Sequence, residues 1–482
     1  MHQTLRLALA TATAAALTGG LLTFTASTAT AADSTTVAKA DFNGDGIGDV
    51  AFSAHVAYVG GKKAAGQLVV LYGSADGISS AKRHTISQNT TGTPGTAETG
   101  DAFGIDTAYA DFNGDGYDDI AVGSPYEDVS GDTDGGSLAI LWGSASGITG
   151  KGVTVDDPTP SKHDRWGKNL AAGDFDGDGK ADLAVGSNAA TIHVFKGGFS
   201  GSGTAGGRYT LTPPIMGANG GGPLNLTAGD VSGDGRTDLV VDGYEGESGE
   251  GWNRNYYYPG AASRLSTSHQ VLKSGIITAI GDINGDGYGD IVTGAPWNGE
   301  PDSSNGGKVW VTYGTAEGPG TAKGVTQDTA GVPGTSEGND YFGHELDLGD
   351  INGDGFLDLA IGAAGENLGE AVNTGTVTVI YGAASGLNTS SGAQLFSQNT
   401  AGVPGSDEDN DYFGLDVKID DLTGDGKADL AIGSDENLGN GAVTYLPSNG
   451  TKITTTGSRA ISPSTSGVST TGTPSFGMNF AD

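Results

Sequence analysis

The chain has 482 residues, no cysteine, and 58 acidic against 23 basic residues, which gives a formal charge of -35. A charge of this sign argues against nucleic acid and anionic membrane surfaces as binding partners. Glycine is abundant at 87 residues, and such a composition is typical of a turn-rich, all-β protein.

Residues 1–31 have the pattern of an export leader. Arg6 supplies a positive charge, the stretch from Leu7 to Phe24 is apolar, and Ala29-Thr30-Ala31 is a small-x-small cleavage site. We therefore expect a signal peptide at 1–31, a mature chain that begins at Ala32, and a secreted protein. An uncleaved membrane anchor is the alternative; the cleavage site disfavours it, and no later stretch is long and apolar enough to span a bilayer.

A nine-residue acidic loop recurs seven times along the chain. Each copy has Asp at positions 1, 5 and 9, Gly at positions 4 and 6, and an oxygen-bearing side chain at position 3. Oxygen ligands with this spacing in a tight turn suit a hard cation such as Ca²⁺, and the sixth-position Gly permits the positive φ that the turn needs. The alternative is an Asx-rich turn without metal, but clustered carboxylates repel one another unless something neutralises them.

The predicted metal ligands also include the residue at position 7 of each loop. The set is Asp41, Asn43, Asp45, Ile47 and Asp49; Asp111, Asn113, Asp115, Tyr117 and Asp119; Asp174, Asp176, Asp178, Lys180 and Asp182; Asp230, Ser232, Asp234, Arg236 and Asp238; Asp282, Asn284, Asp286, Tyr288 and Asp290; Asp350, Asn352, Asp354, Phe356 and Asp358; Asp421, Thr423, Asp425, Lys427 and Asp429. An EF-hand is disfavoured because no Glu recurs at position 12 and the flanking sequence is Gly-rich and β-branched.

The loop starts lie between 52 and 71 residues apart, a spacing that suits a four-stranded propeller blade. Each repeat is interpreted as strands A to D, with the acidic loop between A and B. Strand B is a short apolar run such as Ile120-Ala121-Val122, and strand C alternates, as from Lys308 to Tyr313. Strand A is predicted to open with an aromatic-Gly pair eight residues before the loop, as in Phe103-Gly104, Trp166-Gly167, Phe342-Gly343 and Phe413-Gly414.

The aromatic-Gly pair, the acidic loop and the strand ends Gly123-Ser124-Pro125 and Gly294-Ala295-Pro296 together resemble the FG-GAP repeat family, known from the N-terminal propeller of integrin α chains. The resemblance covers nearly the whole mature chain and marks it as a secreted member of bacterial type. It implies an all-β fold, a seven-bladed β-propeller of four-stranded antiparallel blades, with up to seven structural Ca²⁺ ions in the A–B loops. Ser232 and Thr423 at position 3 depart from the usual Asn or Asp.

Both ends of the chain compete for strand A of the first blade. A last aromatic-Gly pair, Phe476-Gly477, follows the final repeat, and only Ser34 to Ala40 precede the first loop of the mature chain. We expect the two ends to lie side by side there and close the ring, which removes exposed sheet edges and makes residues 32–482 one domain.

The topology places the acidic loops and C–D turns on one face and the long B–C and D–A connections on the other, where recognition is expected. In the integrin family that face carries the ligand. Glu98, Glu337 and Glu408 in D–A connections are either second-cation or ligand contacts, or belong to capped, solubilising turns. The run from Trp252 to Tyr258 is either a sugar-stacking patch or strand C of blade 4. Trp297, in a B–C connection, is a candidate exposed contact.

Catalytic signatures are missing from the sequence: there is no Gly-x-Ser-x-Gly, His-Glu-x-x-His or Walker motif and no Cys nucleophile. The leading hypothesis is a monomeric, calcium-binding extracellular module of adhesion type that binds a protein or a carbohydrate. The alternative is a secreted hydrolase or lyase built on the propeller.

Overall fold

The computed structural model describes residues 39–218, 221–246 and 252–481. These residues form seven antiparallel sheets, and each sheet is one blade of a seven-bladed β-propeller, as predicted. The predicted leader, residues 1–31, and the expected mature start at Ala32 lie outside the described residues. Within the described part of the chain, no helix has the length and apolar character needed to cross a bilayer.

The first three blades contain eleven strands of the described residues. Blade 1 holds β1 (Val50–Ala54), β2 (Gln67–Leu71) and β3 (Arg83–Ile86). Blade 2 holds β4 (Thr107–Ala110), β5 (Asp119–Ser124), β6 (Ser137–Leu141) and β7 (Gly152–Thr154). Blade 3 holds β8 (Leu170–Gly173), β9 (Asp182–Val185), β10 (Ile192–Lys196) and β11 (Gly207–Leu211).

The remaining blades each contain four strands. Blade 4 holds β12 (Pro223–Gly229), β13 (Asp238–Tyr244), β14 (Asn253–Tyr258) and β15 (Gln270–Val271); blade 5 holds β16 (Ile277–Gly281), β17 (Asp290–Ala295), β18 (Lys308–Thr312) and β19 (Ala322–Val325). Blade 6 holds β20 (Phe342–Gly349), β21 (Asp358–Ala363), β22 (Thr376–Ile380) and β23 (Gln394–Phe396); blade 7 holds β24 (Asp416–Asp420), β25 (Asp429–Ser434), β26 (Ala442–Leu446) and β27 (Arg459–Ile461). One turn of helix, α1 (Glu436–Gly439), and a 3-10 turn (Ser464–Ser466) complete the elements.

The predicted strands B and C are confirmed. Strand B is buried along its whole length in β5 and β21, because neighbouring blades cover both of its faces, and this explains its continuous apolar sequence. The first strands of successive blades contact one another, as β4 with β8 and β20 with β24. Strand A therefore lines the centre of the ring.

The aromatic-Gly pairs lie at the seams, by which we mean the contacts between two adjacent blades. The prediction that the pair opens strand A is correct only for β20; β4, β8 and β24 begin after it. The paired glycine has positive φ in each case, 88° at Gly104 and 78° at Gly167, and even in β20 the pairing with β21 is interrupted between Phe342 and Leu346. The seams are tight: a Cβ at Gly294 would lie 1.9 Å from the carbonyl oxygen of Gly343 in the next blade.

Blade 1 has three assigned strands, and segments from both ends of the described chain flank β1. The Ala481 amide donates to the Ala51 carbonyl at 2.9 Å, and the Ser53 amide donates to the Asn479 carbonyl at 2.8 Å. Further along the same edge, the Asp49 amide donates to the Ala40 carbonyl at 2.7 Å. The position of strand A in blade 1 is therefore filled partly from residues 477–481 and partly from the residues just before the first acidic loop.

The aromatic run in blade 4 has a structural role. Asn253 to Tyr258 form β14, and Tyr256, Tyr257 and Tyr258 are buried. The strand interpretation is confirmed, and the sugar-stacking interpretation is wrong for these three tyrosines because their rings pack inside the seams.

Candidate functional site

Each acidic loop is organised around its first Asp. In blade 2, Asp111 Oδ1 accepts hydrogen bonds from the amides of Gly114 at 2.7 Å and Asp115 at 3.1 Å, while Oδ2 accepts one from Gly116 at 2.8 Å. Asp115 Oδ1 accepts one from the Tyr117 amide at 3.1 Å. The glycine at position 6 has positive φ in every loop, 89° at Gly116. The sequence thus folds the carboxylates of positions 1 and 5 into one tight turn.

The ninth Asp of each loop is buried and fastens the loop to the C–D turn of its own blade. Its Oδ1 accepts a backbone amide hydrogen bond of 2.7–3.0 Å in every blade. The pairs are Asp49 with Gly73, Asp119 with Gly143, Asp182 with Gly197, Asp238 with Gly260, Asp290 with Gly314, Asp358 with Gly382, and Asp429 with Ser448. The acidic loops and C–D turns therefore share one face.

Burial, helped by the other acids of the loop, raises the pKa of every ninth Asp. The pKa is about 8 for Asp49, Asp119 and Asp358, about 7 for Asp182, Asp290 and Asp429, and about 6 for Asp238. A buried carboxylate without a counter-charge disfavours its own ionised form. A bound cation would supply the counter-charge.

These raised pKa values predict how the metal-free protein responds to pH. An Asp whose folded pKa exceeds its unfolded value of 3.8 adds no destabilisation below that unfolded pKa, and destabilises the fold increasingly as pH rises toward the folded pKa. We expect the melting temperature of the chelated protein to fall between about pH 4 and pH 8, and added Ca²⁺ to raise it more at the higher pH. Calorimetry across this range measures both. A chelated protein that grows steadily more stable over the range would contradict the assignment.

The loops are joined to one another around the ring. The amide at position 8 of one loop donates to the carbonyl at position 1 of the neighbouring loop at 2.8–3.4 Å at six seams. These bonds are Asp118 to Asp41, Thr237 to Asp174, Gly289 to Asp230, Leu357 to Asp282, Ala428 to Asp350, and Gly48 to Asp421. The last bond joins blade 1 to blade 7. Each of these bonds joins the backbone of one acidic loop to that of its neighbour.

The side chain at position 7 packs on the adjacent loop. Six of these side chains lie over the fourth-position glycine of a neighbour, where a Cβ would fall within 2.6–3.4 Å of them: Tyr117 over Gly44, Arg236 over Gly177, Tyr288 over Gly233, Phe356 over Gly285, Lys427 over Gly353, and Ile47 over Gly424. Membership of position 7 in the ligand set stays a prediction, because a ligand role would use its backbone carbonyl. The structure gives its side chain a packing role that the sequence did not reveal.

Blade 3 carries the closest approach of acids. Carboxylate oxygens of Asp174, Asp176 and Asp182 lie within 4.8 Å of one another, the one such group among the described residues. Asp176 Oδ1 and Asp182 Oδ2 are buried without hydrogen-bond partners. Lys196 Nζ lies 2.6 Å from Asp176 Oδ2, and this hydrogen bond raises the pKa of Lys196. These carboxylates fit an oxygen-ligated cation, because two of their buried oxygens accept no hydrogen bond.

Blade 4 differs from the other loops. Ser232 stands at position 3, and its hydroxyl donates to Asp230 Oδ1 at 3.4 Å. The guanidinium of Arg236 pairs with Asp234. Part of the loop charge is thus neutralised from within the loop, so we expect a weaker requirement for a cation here than in loops whose acids have no basic partner.

The opposite face bears the B–C and D–A connections. Asp101, Asp340 and Asp411 are buried there, and each accepts the amide hydrogen of a Glu three residues earlier, at 2.5–2.9 Å. Those glutamates, Glu98, Glu337 and Glu408, have exposed side chains. The geometry agrees with the turn-capping interpretation, with Asp as the capping residue.

A Gln–Glu hydrogen bond recurs on this face, and the sequence analysis did not predict it. Gln88 Nε2 donates to Glu127 Oε2 at 2.5 Å, and Gln327 Nε2 donates to Glu366 Oε2 at 2.6 Å. Gln398 donates to Glu436 in the same way. The available signal was a Gln-(Asn/Asp)-Thr triplet whose Gln lies four residues before each Gly-x-Pro-Gly turn.

A cavity of about 200 Å³ opens between blades 1 and 2 on this face. Its polar lining comes from Gln88, Ser124, Glu127, Asp128, Ser130, Ser137 and Thr154. The lining contains two carboxyl groups and neither His nor Tyr. This cavity gives the hydrolase or lyase alternative no specific support.

Comparisons with known proteins agree with the fold. The FG-GAP repeat matches residues 103–141, 274–312 and 342–380, and the FG-GAP-like repeat matches residues 174–241. Each matched segment includes an acidic loop together with strands B and C. Gly123, Gly294 and Gly362, each the last residue but one of strand B, lie inside the three FG-GAP matches.

Several curated proteins are similar over part of their length. Phosphatidylinositol-glycan-specific phospholipase D of Rattus norvegicus is 32% identical over 180 residues, which is 36% of this chain and 20% of that protein. Integrin alpha-PS2 of Drosophila melanogaster is 28% identical over 267 residues, 54% of this chain and 15% of that protein. Integrin alpha-X of Homo sapiens is 36% identical over 159 residues, 30% of this chain and 13% of that protein. The matched region is thus a fifth or less of each relative.

The seven sheets, the matched repeats and the similar proteins all support a propeller of the FG-GAP type. This chain is a seven-bladed β-propeller that carries FG-GAP repeats, and it resembles the N-terminal domain of integrin α chains.

Proposed function

We propose that the chain is a calcium-stabilised, secreted binding module whose ligand, an extracellular protein or a glycan, docks on the face of the B–C and D–A connections. The Ca²⁺ ions bind in the acidic loops of the other face and are structural. Support for the cation comes from the buried oxygens of Asp176 and Asp182 that lack donors. Support for export comes from the leader-like sequence of residues 1–31.

The main support for a ligand site on this face is the exposure of apolar side chains. Among the described residues, four large apolar side chains are exposed, and three of them, Val129, Trp297 and Val372, lie in B–C connections. Trp297 is 37% exposed and Val372 is 45% exposed, and they belong to the neighbouring blades 5 and 6. An exposed Trp on a rigid framework is typical of recognition surfaces, because tryptophan is enriched among the residues that carry binding energy.

The charge of this face limits the ligand. Asp128, Glu337, Glu370, Glu408 and Asp409 are exposed on it. A neutral or basic ligand surface fits, whereas an acidic one is repelled. The acidic face therefore favours a neutral glycan or a protein with a basic patch as the ligand, and the binding assays below distinguish these two classes.

The test is binding of the whole secreted protein to a glycan array and to extracellular cell-wall material. Replacing Trp297 with Ala should weaken capture of the ligand about tenfold or more, since a central aromatic contact is worth about 2 kcal/mol. The matched control is Val271→Ala, because Val271 is the fourth exposed apolar side chain and lies on β15, away from the loop face. If the folded protein binds nothing in either assay, or if both variants lose the same amount of binding, the proposal is refuted.

A further inference from the structure

Three seams share a buried Gln-Glu-Asp arrangement on the face opposite the acidic loops. In the 1/2, 5/6 and 6/7 seams a Gln follows strand D of one blade and bonds to a Glu in the B–C connection of the next. An Asp from the intervening D–A connection completes each set. The sets are Gln88, Glu127 and Asp101; Gln327, Glu366 and Asp340; and Gln398, Glu436 and Asp411.

The acids of each set are close enough to influence one another. Burial raises the pKa of Glu127 and Glu366 to about 7, with Asp101 and Asp340 among the neighbouring charges that add to the effect. The Glu366 segment is also held against Asp340, because the Gly365 amide donates to the Asp340 carbonyl at 3.0 Å. At the 5/6 seam a backbone hydrogen bond therefore joins the two segments that carry these acids.

The arrangement leaves acceptor oxygens without donors. The Oε1 atoms of Gln88, Gln327 and Gln398 are buried without hydrogen-bond partners, and these side chains are 4%, 2% and 2% exposed. In the 5/6 seam Asp340 Oδ1 is also buried without a partner, in a residue with 0% exposure. Buried acceptors of this kind are rare because each carries a desolvation cost.

A positively charged group that takes several oxygen ligands would satisfy these acceptors. None of the ion pairs found among the described residues includes Glu127, Glu366, Asp101 or Asp340. Carboxylate and carboxamide oxygens are the ligands that hard divalent cations prefer. The unpaired Oε1 of each Gln is available as a ligand while Nε2 keeps its hydrogen bond to the Glu carboxylate.

We propose that the 1/2, 5/6 and 6/7 seams each bind a hard divalent cation of the Ca²⁺ class through the Glu carboxylate, the Asp carboxylate and the Gln carboxamide oxygen. These sites lie on the recognition face and are separate from the acidic loops. At the 1/2 seam the cavity of about 200 Å³ beside Gln88 and Glu127 has room for the waters that complete the coordination. Each cation joins a D–A connection to the B–C connection of the next blade.

The experiment counts bound ions by equilibrium dialysis of the whole chain against radioactive Ca²⁺. The triple variant Glu127→Gln, Glu366→Gln, Glu436→Gln should bind about three fewer ions than the parent, because an amide replaces a carboxylate ligand at each seam. The matched control is Glu98→Gln, Glu337→Gln, Glu408→Gln, which removes the same charge from exposed side chains of the D–A connections at the same three seams. It should retain the number of ions that the parent binds.

Because the result is a difference from the parent, it does not depend on how many acidic loops are occupied. If the triple variant does not fold, each single variant is measured and should lose about one ion. A folded triple variant that binds as many ions as the parent overturns the proposal, as does an equal loss in the control. Protons alone would then account for the buried Gln-Glu pairs.

Discussion

Chelation with EDTA should lower the melting temperature of the protein by about 10 °C. A loop without a Glu at position 12 is expected to bind Ca²⁺ with a Kd of about 10⁻⁴ M, and at about tenfold excess of free Ca²⁺ each site contributes about 1.4 kcal/mol. Seven loops together contribute up to about 10 kcal/mol. With an unfolding entropy of about 2.1 cal/mol/K per residue over 482 residues, this becomes a shift of about 10 °C.

A single substitution separates metal binding from repulsion between acids. Asp354 is exposed at position 5 of the blade 6 loop, and its Oδ1 accepts the Phe356 amide at 3.1 Å, a bond that Asn preserves. Asp354→Asn should cost about 1.4 kcal/mol in Ca²⁺ and leave stability unchanged or higher in EDTA. The control is Glu370→Gln, an equal charge change at an exposed residue of the opposite face. Identical behaviour of Asp354→Asn with and without Ca²⁺ would contradict a metal site in this loop.

Phe476→Ala should destabilise the protein by about 3–5 kcal/mol, because it removes a fully buried aromatic ring. Phe476 is 0% exposed, its ring centroid lies 4.7 Å from that of Phe52 in β1, and its amide donates to the Asn440 carbonyl at 3.2 Å. The ring therefore packs between blades 7 and 1, at the seam where the propeller closes. Urea denaturation followed by fluorescence measures the loss.

The matched control for Phe476 is Thr470→Ala, an exposed residue a few positions earlier, which should change stability by less than about 0.5 kcal/mol. Limited proteolysis adds a structural readout, since loosening of the last seam should speed cleavage in the residues after β27. Equal stability of Phe476→Ala and the parent would show that this seam does not hold the ring together.

The features of the fold that could be predicted are those determined by residues close together in the sequence. Asp111, Asn113, Asp115 and Asp119 lie in one stretch, so the loop and its seven copies are visible in the sequence, and strand B follows each copy as a short apolar run. The start of strand A was less exact, because β4, β8 and β24 begin after the aromatic-Gly pair whereas β20 includes it with an interrupted ladder, and the motif itself does not distinguish these cases.

The parts that could not be predicted depend on contacts between blades. Gln88 and Glu127 are 39 residues apart and meet only when two blades pack together. The same holds for Tyr117, whose ring covers Gly44 of the neighbouring loop, and for the bonds that link successive loops. Such contacts follow from the diameter and closure of the ring, which a repeat pattern alone does not fix.

The most direct measurement of the central claim, that cations in the acidic loops hold the ring together, is anomalous scattering from crystals of the whole protein grown in millimolar Ca²⁺. We predict calcium peaks inside the loops that begin at Asp41, Asp111, Asp174, Asp230, Asp282, Asp350 and Asp421, with the weakest at Asp230, where Arg236 already neutralises Asp234. Well-ordered loops without any calcium peak would contradict the account.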